Sequence, residues 1–178
     1  MGSFSSERLM RAPLERVWPL LLDWSFGAEV PFTEIRIEPA AGLGAGAETV
    51  AGQRFVARTG IGPGRRAGFD DLMTVTSVRP PSGDRGGRAV VLKHGRLLRG
   101  EALIEARRHG PAHTLVIWSY RDLRLVPQWL SPPLATLTAR ATDRVTDRTG
   151  AAVAKRVLAA VARAAEHGRA GDRVDTER

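Results

Sequence analysis

The chain has no cysteine, which excludes disulfide cross-links and thiolate chemistry and fits a reducing compartment. Lysine is nearly missing as well: of 27 basic residues only Lys93 and Lys155 are lysines, and the rest are arginines. Aromatic residues make up 6%, with a single tyrosine, Tyr120. No stretch approaches the roughly 18 consecutive apolar residues of a membrane span. Residues 1–11 carry Glu7, Arg8 and Arg11 and lack the apolar segment of a signal peptide. The expectation is a cytoplasmic protein with no stable membrane insertion. Histidines are few, and His109 and His113 flank Gly110-Pro111, so they cannot share a helix face; no metal site is expected. There is no G-x-S-x-G elbow, and G-I-G-P-G (60–64) lacks the Lys-Ser/Thr ending of a phosphate loop and reads as a turn. No cofactor is expected.

What is present is ordinary globular material: 178 residues, 43% hydrophobic and 26% charged. That length suits one domain, which can bury roughly two thirds of its unfolded surface. We assign the domain to residues 1–168 and expect 169–178 (RAGDRVDTER), which has almost nothing to bury, to be disordered. A net charge of +8 invites a nucleic-acid reading. The arginines are, however, scattered and interleaved with acids, as in Asp143-Arg144 and Asp147-Arg148, and no aromatic-basic alternation offers a platform for bases. A solvated, mildly basic surface explains the charge, and no nucleic-acid partner is expected.

Along the chain, residues 4–11 read as a strand ending at Ala12-Pro13. Pro13 opens an amphipathic segment with Leu14, Val17, Trp18, Leu21 and Leu22 on one face, which Pro19 should kink or shorten. A broken second helix or loop follows over 25–33. Six β-type runs come next, at 33–39, 48–59, 69–78, 88–96, 97–108 and 113–125, punctuated by glycine and proline. After Val126-Pro127 the period becomes helical, with Leu134, Leu137, Ala141, Val145, Val153, Val157, Val161 and Ala164 on one face and arginines opposite. Gly150 reads as a break or bend. A curved antiparallel sheet of seven strands must bury that stripe. Because the stripe is Ala- and Val-rich, packing can leave a cavity.

The order βααβ₆α resembles that of the START/Bet v1-like (SRPBCC) superfamily. Several stretches are similar to its bacterial polyketide cyclase/dehydrase-like branch: APLERVW (12–18) with Asp23-Trp24, FVARTGIGP (55–63), GFDDLMTVT (68–76), LKHGRLLRGEA (92–102) and VIWSYRDLRLVP (116–127). The resemblance implies an α+β helix-grip fold, a seven-stranded curved antiparallel sheet around a long C-terminal helix. It further implies an internal cavity for a hydrophobic small molecule, cofactor-independent cyclisation or dehydration of a polyketide-like intermediate, and a monomer or homodimer. The alternative is a non-catalytic carrier, sensor or sequestration protein for a lipid or hydrophobic metabolite. The last strand departs from the family pattern, since Tyr120 stands two residues after Trp118 where an acid is usual.

Strand alternation selects the candidate residues. Phe69, Asp71, Met73 and Val75 share the more apolar face of 69–78; Asp70 and Asp71 could equally be strand-end acids meeting Arg65 and Arg66. On 88–96, we place Val90, Leu92, His94 and Arg96 inward, which makes His94 a proton-shuttle candidate, although a hydrogen-bonded rim histidine would look the same. On the last strand, Val116, Trp118, Tyr120 and Asp122 form one column, which would also serve plain core packing. Trp24 and Phe32, in the segment that gates such cavities, and Phe55 are candidate ligand contacts. Arg58, or Arg54 if the strand parity shifts at Gly52, could hold a carbonyl or enolate oxygen. The expected catalytic set is His94, Asp71 and Tyr120.

Overall fold

The computed structural model describes residues 2–31, 33–38, 49–61, 67–95, 98–125 and 132–167, the stretch 132–149 by its backbone alone. Phe32, Arg96 and the segment 169–178 lie outside the described residues.

Strand β1 (Gly2–Met10) leads into helix α1 (Leu14–Leu21) and a 3₁₀ turn over Trp24–Glu29. Six strands follow: β2 (Thr33–Ile37), β3 (Arg54–Ile61), β4 (Ala67–Arg79), β5 (Gly87–His94), β6 (Leu98–Arg108) and β7 (Thr114–Leu125). Helix α2 (Pro132–His167) closes the order. The seven strands form one antiparallel sheet in the order β1-β7-β6-β5-β4-β3-β2. Since β1 and β2 are its two edges, the α1–3₁₀ connection must cross from one edge to the other, over the mouth between sheet and helix.

Local chemistry explains the short helix. The carbonyl of Pro13 accepts from Arg16 N and Val17 N, which starts α1. Pro19 removes an amide that the helix would use, but it sits on the exposed side and α1 ends two residues later. Leu14, Val17, Trp18 and Leu21 are buried on the other side. Asp23 then caps the 3₁₀ turn by accepting from Ser25 N at 3.0 Å, and this turn buries Trp24 and Phe26.

The C-terminal helix behaves differently from expectation at Gly150. There is no break: α2 is continuous through it. The residue is small because of packing, since a Cβ there would stand 2.1 Å from the Phe4 ring of β1. Beyond it Ala154, Val157, Leu158, Val161 and Ala165 are buried against the concave face, while Lys155, Arg156 and Arg163 face water.

The pairing of β6 with β7 carries an irregularity near Gly100. Gly100 adopts φ 150°, Asp122 φ 52°, and the pairing shifts between Arg99 and Glu101. A Cβ on Gly100 would lie 2.8 Å from the Leu123 Cα. The shift turns Asp122 out of the Trp118–Tyr120 column into solvent and brings Leu123 inward in its place.

Candidate functional site

Between the concave face, the 3₁₀ turn and α2 lies a cavity of about 470 Å³, within the usual range for small-molecule sites. Val153, Val157 and Val161 of α2 form one side. Phe55, Phe69, Met73, Trp118 and Leu123 supply the sheet side, and Trp24 with Phe26 the mouth. Trp24 stacks on Phe55 with ring centroids 4.5 Å apart and planes inclined by 15°.

Three ionisable groups interrupt this largely apolar lining from within the sheet, Asp71, Lys93 and Tyr120, beside the hydroxyls of Thr33 and Thr59, which meet each other at 3.1 Å. Lys93 sits directly across from Met73, and Asp71 is the next inward position on β4. That diagonal is within reach of a lysine, and Nζ is hydrogen-bonded to Asp71 Oδ2. The ammonium also contacts Met73 Sδ at 3.2 Å and lies 5.6 Å from the centre of the Tyr120 ring. Both side chains of the pair are 8% exposed. Tyr120 in turn packs between Trp118, at 6.4 Å, and Phe4, at 4.8 Å.

Burial by itself would lower the Lys93 pKa, but Asp71 and the Tyr120 oxygen together outweigh that cost and hold it above 10.5, so the side chain remains an ammonium. The Tyr120 phenol is pushed above 10.0, chiefly by burial; the neighbouring ammonium opposes that rise and Asp71 adds to it. The indole N–H of Trp118 interacts weakly with the phenol, short of hydrogen-bond geometry. At neutral pH the site therefore presents two proton donors, Lys93 and Tyr120, beside one carboxyl group. One oxygen of that group, Asp71 Oδ1, is buried and accepts no hydrogen bond among the described residues; the buried indole N–H groups of Trp24 and Trp118 likewise donate none there.

The structure brings together Asp71, Tyr120, Trp24, Phe55, Phe69, Met73 and Trp118, all of which border the cavity. Three other candidates are corrected. His94 lies on the outer face, where its Nε2 meets Thr74 Oγ1 at 2.8 Å. Leu92 is 42% exposed on that same face. The reason is register: Val75 pairs with Val91 and Met73 with Lys93, so the odd-numbered residues of β5 point inward. Arg58 also points outward and pairs with Asp70 at 2.9 Å, because Phe55, Ala57 and Thr59 are the inward positions of β3. Arg54, the alternative to Arg58, is half-exposed beside Glu38. Phe32 lies outside the described residues.

Lys93 is the functional candidate that sequence reasoning missed. One signal pointed to it: in a chain whose default cation is arginine, a lysine directly after the apolar run Ala89–Leu92 of β5 is an exception. Among the described residues no cluster of His, Asp or Glu has metal-binding geometry. No described helix is long and apolar enough to cross a membrane.

Known structures share this fold. A START superfamily protein from Mycobacterium smegmatis is similar with a TM-score of 0.59 and 12% identity, over 94% of this chain and 99% of that one. The di-domain ARO/CYC protein StfQ of the steffimycin biosynthetic pathway gives 0.59 and 12%, over 93% of this chain but 50% of its own length. Truncated norcoclaurine synthase from Thalictrum flavum gives 0.53 and 10%, over 90% and 91% of the two chains. No protein-family model and no curated protein sequence matches the chain. The fold is thus the START/Bet v1-like helix grip, a seven-stranded antiparallel sheet wrapped around a C-terminal helix.

Proposed function

We propose that the protein binds an apolar small molecule in this cavity and catalyses proton transfer on it, as in the cyclisation and dehydration of a polyketide-like intermediate. The observation that carries the reading is the buried Asp71–Lys93 pair, which stands inside a largely apolar cavity. Burying two charges costs several kcal/mol per ion before their attraction offsets it, and an all-apolar cavity would suffice for a passive carrier. The likeness to an ARO/CYC protein is in keeping with this chemistry.

In this reading Asp71 takes the proton from a carbon next to a carbonyl group. Lys93 and Tyr120, which keep their protons, donate hydrogen bonds to the oxygen that becomes negative. The enolate then attacks a second carbonyl of the same folded substrate, and Asp71 returns the proton it took to the resulting alkoxide. Asp71 next removes the second hydrogen of the same α-carbon; the carbon–carbon double bond forms as the C–O bond breaks, and the hydroxyl leaves with that proton as water. Confinement by the cavity walls holds the reacting carbons together and so lowers the entropic part of the barrier.

Exchange of the α-hydrogens of 2-tetralone in D₂O, followed by NMR, tests the proton-transfer step without knowledge of the natural substrate. The protein should accelerate exchange over buffer, and Asp71→Asn should lower the rate by about 10² or more while the ketone still quenches tryptophan fluorescence. Binding of 2-tetralone without any accelerated exchange would leave the carrier reading in its place.

A further inference from the structure

We infer, resting on the small-molecule reading above, that the cavity selects a neutral ligand whose polar end is a hydroxyl or enol, and that it discriminates against carboxylates. Unspent hydrogen-bonding capacity and the balance of charge both lead there.

Asp71 is 6% exposed and Trp24 7% exposed, both border the cavity, and each has a polar atom without a partner among the described residues. A carboxylate can accept roughly four hydrogen bonds, yet Asp71 receives one from Lys93. The lysine ammonium has three protons; its recorded partners are that single oxygen and the weakly accepting thioether of Met73. The cavity therefore offers an acceptor and a donor side by side at Asp71 and Lys93, with further donors at the Tyr120 hydroxyl and the Trp24 and Trp118 indoles. Buried groups left in this state are costly. A hydroxyl or enol meets both needs: its proton goes to Asp71, once the carboxylate turns toward the cavity, and its oxygen accepts from Lys93.

The charged residues among the described lining are Asp23, Asp71 and Lys93, two acids against one base. A ligand carboxylate could accept from Lys93, but it would bring a like charge against Asp71 in surroundings of low dielectric, with Asp23 a further anion at the mouth. An ammonium-bearing ligand would meet Lys93 in the same way. A neutral group that both donates and accepts escapes both penalties.

Three probes that share one ring system separate these cases: 2-naphthol, 2-methoxynaphthalene and 2-naphthoate, titrated at pH 7 by calorimetry. Methylation deletes the donor and keeps the oxygen; the carboxylate deletes the donor and adds charge. Naphthol should bind about tenfold or more tighter than either of the others, the order expected for one hydrogen bond to a charged group. In the double variant Asp71→Leu/Lys93→Met, naphthol and methoxynaphthalene should bind within about threefold of one another, since the hydrogen-bonding pair is gone. If that variant fails to fold, the ranking by the wild-type protein decides the matter alone. Naphthoate binding as tightly as naphthol, methoxynaphthalene equalling naphthol, or a preference that survives the double substitution would each overturn the inference while the cavity reading stands. Failure of all three probes to bind the wild-type protein would overturn both.

Discussion

Removing the Lys93 ammonium should damage the fold far more than removing the whole ion pair. In Lys93→Met the stem of the side chain is replaced by a flexible thioether of similar reach, so the packing loss is small. What remains is the Asp71 carboxyl, 6% exposed, with no counter-charge. Breaking a buried pair in this way costs about 3–5 kcal/mol. For a domain of this size each kcal/mol moves Tm by roughly 2–4 °C, so the expected fall is roughly 6–20 °C. The double variant Asp71→Leu/Lys93→Met leaves no buried charge and should lie within about 1 kcal/mol of the wild type, on either side of it. Urea unfolding at pH 7, followed by far-UV circular dichroism, gives both values, with an unchanged m confirming that the same surface is exposed. A Lys93→Met protein within 1 kcal/mol of the wild type would refute the reasoning. So would a double variant as unstable as the single one, because the loss would then come from packing.

Alkaline pH should reveal the same cluster. The pKa values of Lys93 and Tyr120 are both raised in the folded state, so the unfolded chain releases these protons first; stability is full below about pH 10 and falls as pH climbs through the folded values. Tyr120 is the only tyrosine, so absorbance at 295 nm reports it alone, and its folded-state midpoint should lie above 10.0; a midpoint below that would contradict the burial argument. Gly150→Ala, which raises helix propensity, should nonetheless destabilise by about 1–3 kcal/mol because the new methyl meets Phe4. Truncating Phe4 to alanine should remove most of that penalty in a double-mutant cycle. His94→Gln alters only an outer-face hydrogen bond to Thr74 and should change stability by no more than about 0.5 kcal/mol and tetralone exchange not at all.

The architecture was legible because its signals were strong and repeated: strands broken by glycine and proline, then a change of period after Pro127. Asp71 and Met73 could be placed on the cavity wall because Phe69, Met73 and Val75 mark one face of β4 as the more apolar, even though Asp71 on that face and Leu72 opposite break the alternation. On β5 no such contrast exists. Ala89, Val90, Val91 and Leu92 are all apolar, so the run does not show which parity turns inward, and placing Val90, Leu92 and His94 inside left Lys93 outside. Register decided instead: β4 fixes β5 through its backbone pairing, across an irregularity between Val75 and Ser77 that no local pattern announces. A buried lysine is uncommon unless paired, and its partner Asp71 lies 22 residues away on another strand. The exit of Asp122 from the last column has a similar cause, since it depends on a shift in pairing with β6. Gly150 looked like a helix breaker because the ring it accommodates belongs to β1, at the far end of the chain.

The most direct test of the account is a crystal structure of the protein with 2-tetralone. The ring system should lie between Trp24 and Val157, with the carbonyl oxygen within 3.5 Å of Lys93 Nζ or the Tyr120 hydroxyl (about the limit of a hydrogen bond) and the adjacent carbon facing Asp71. A ketone bound with its oxygen toward solvent and its ring against the Asp71–Lys93 pair, or one seated on the outer face beside His94, would contradict it.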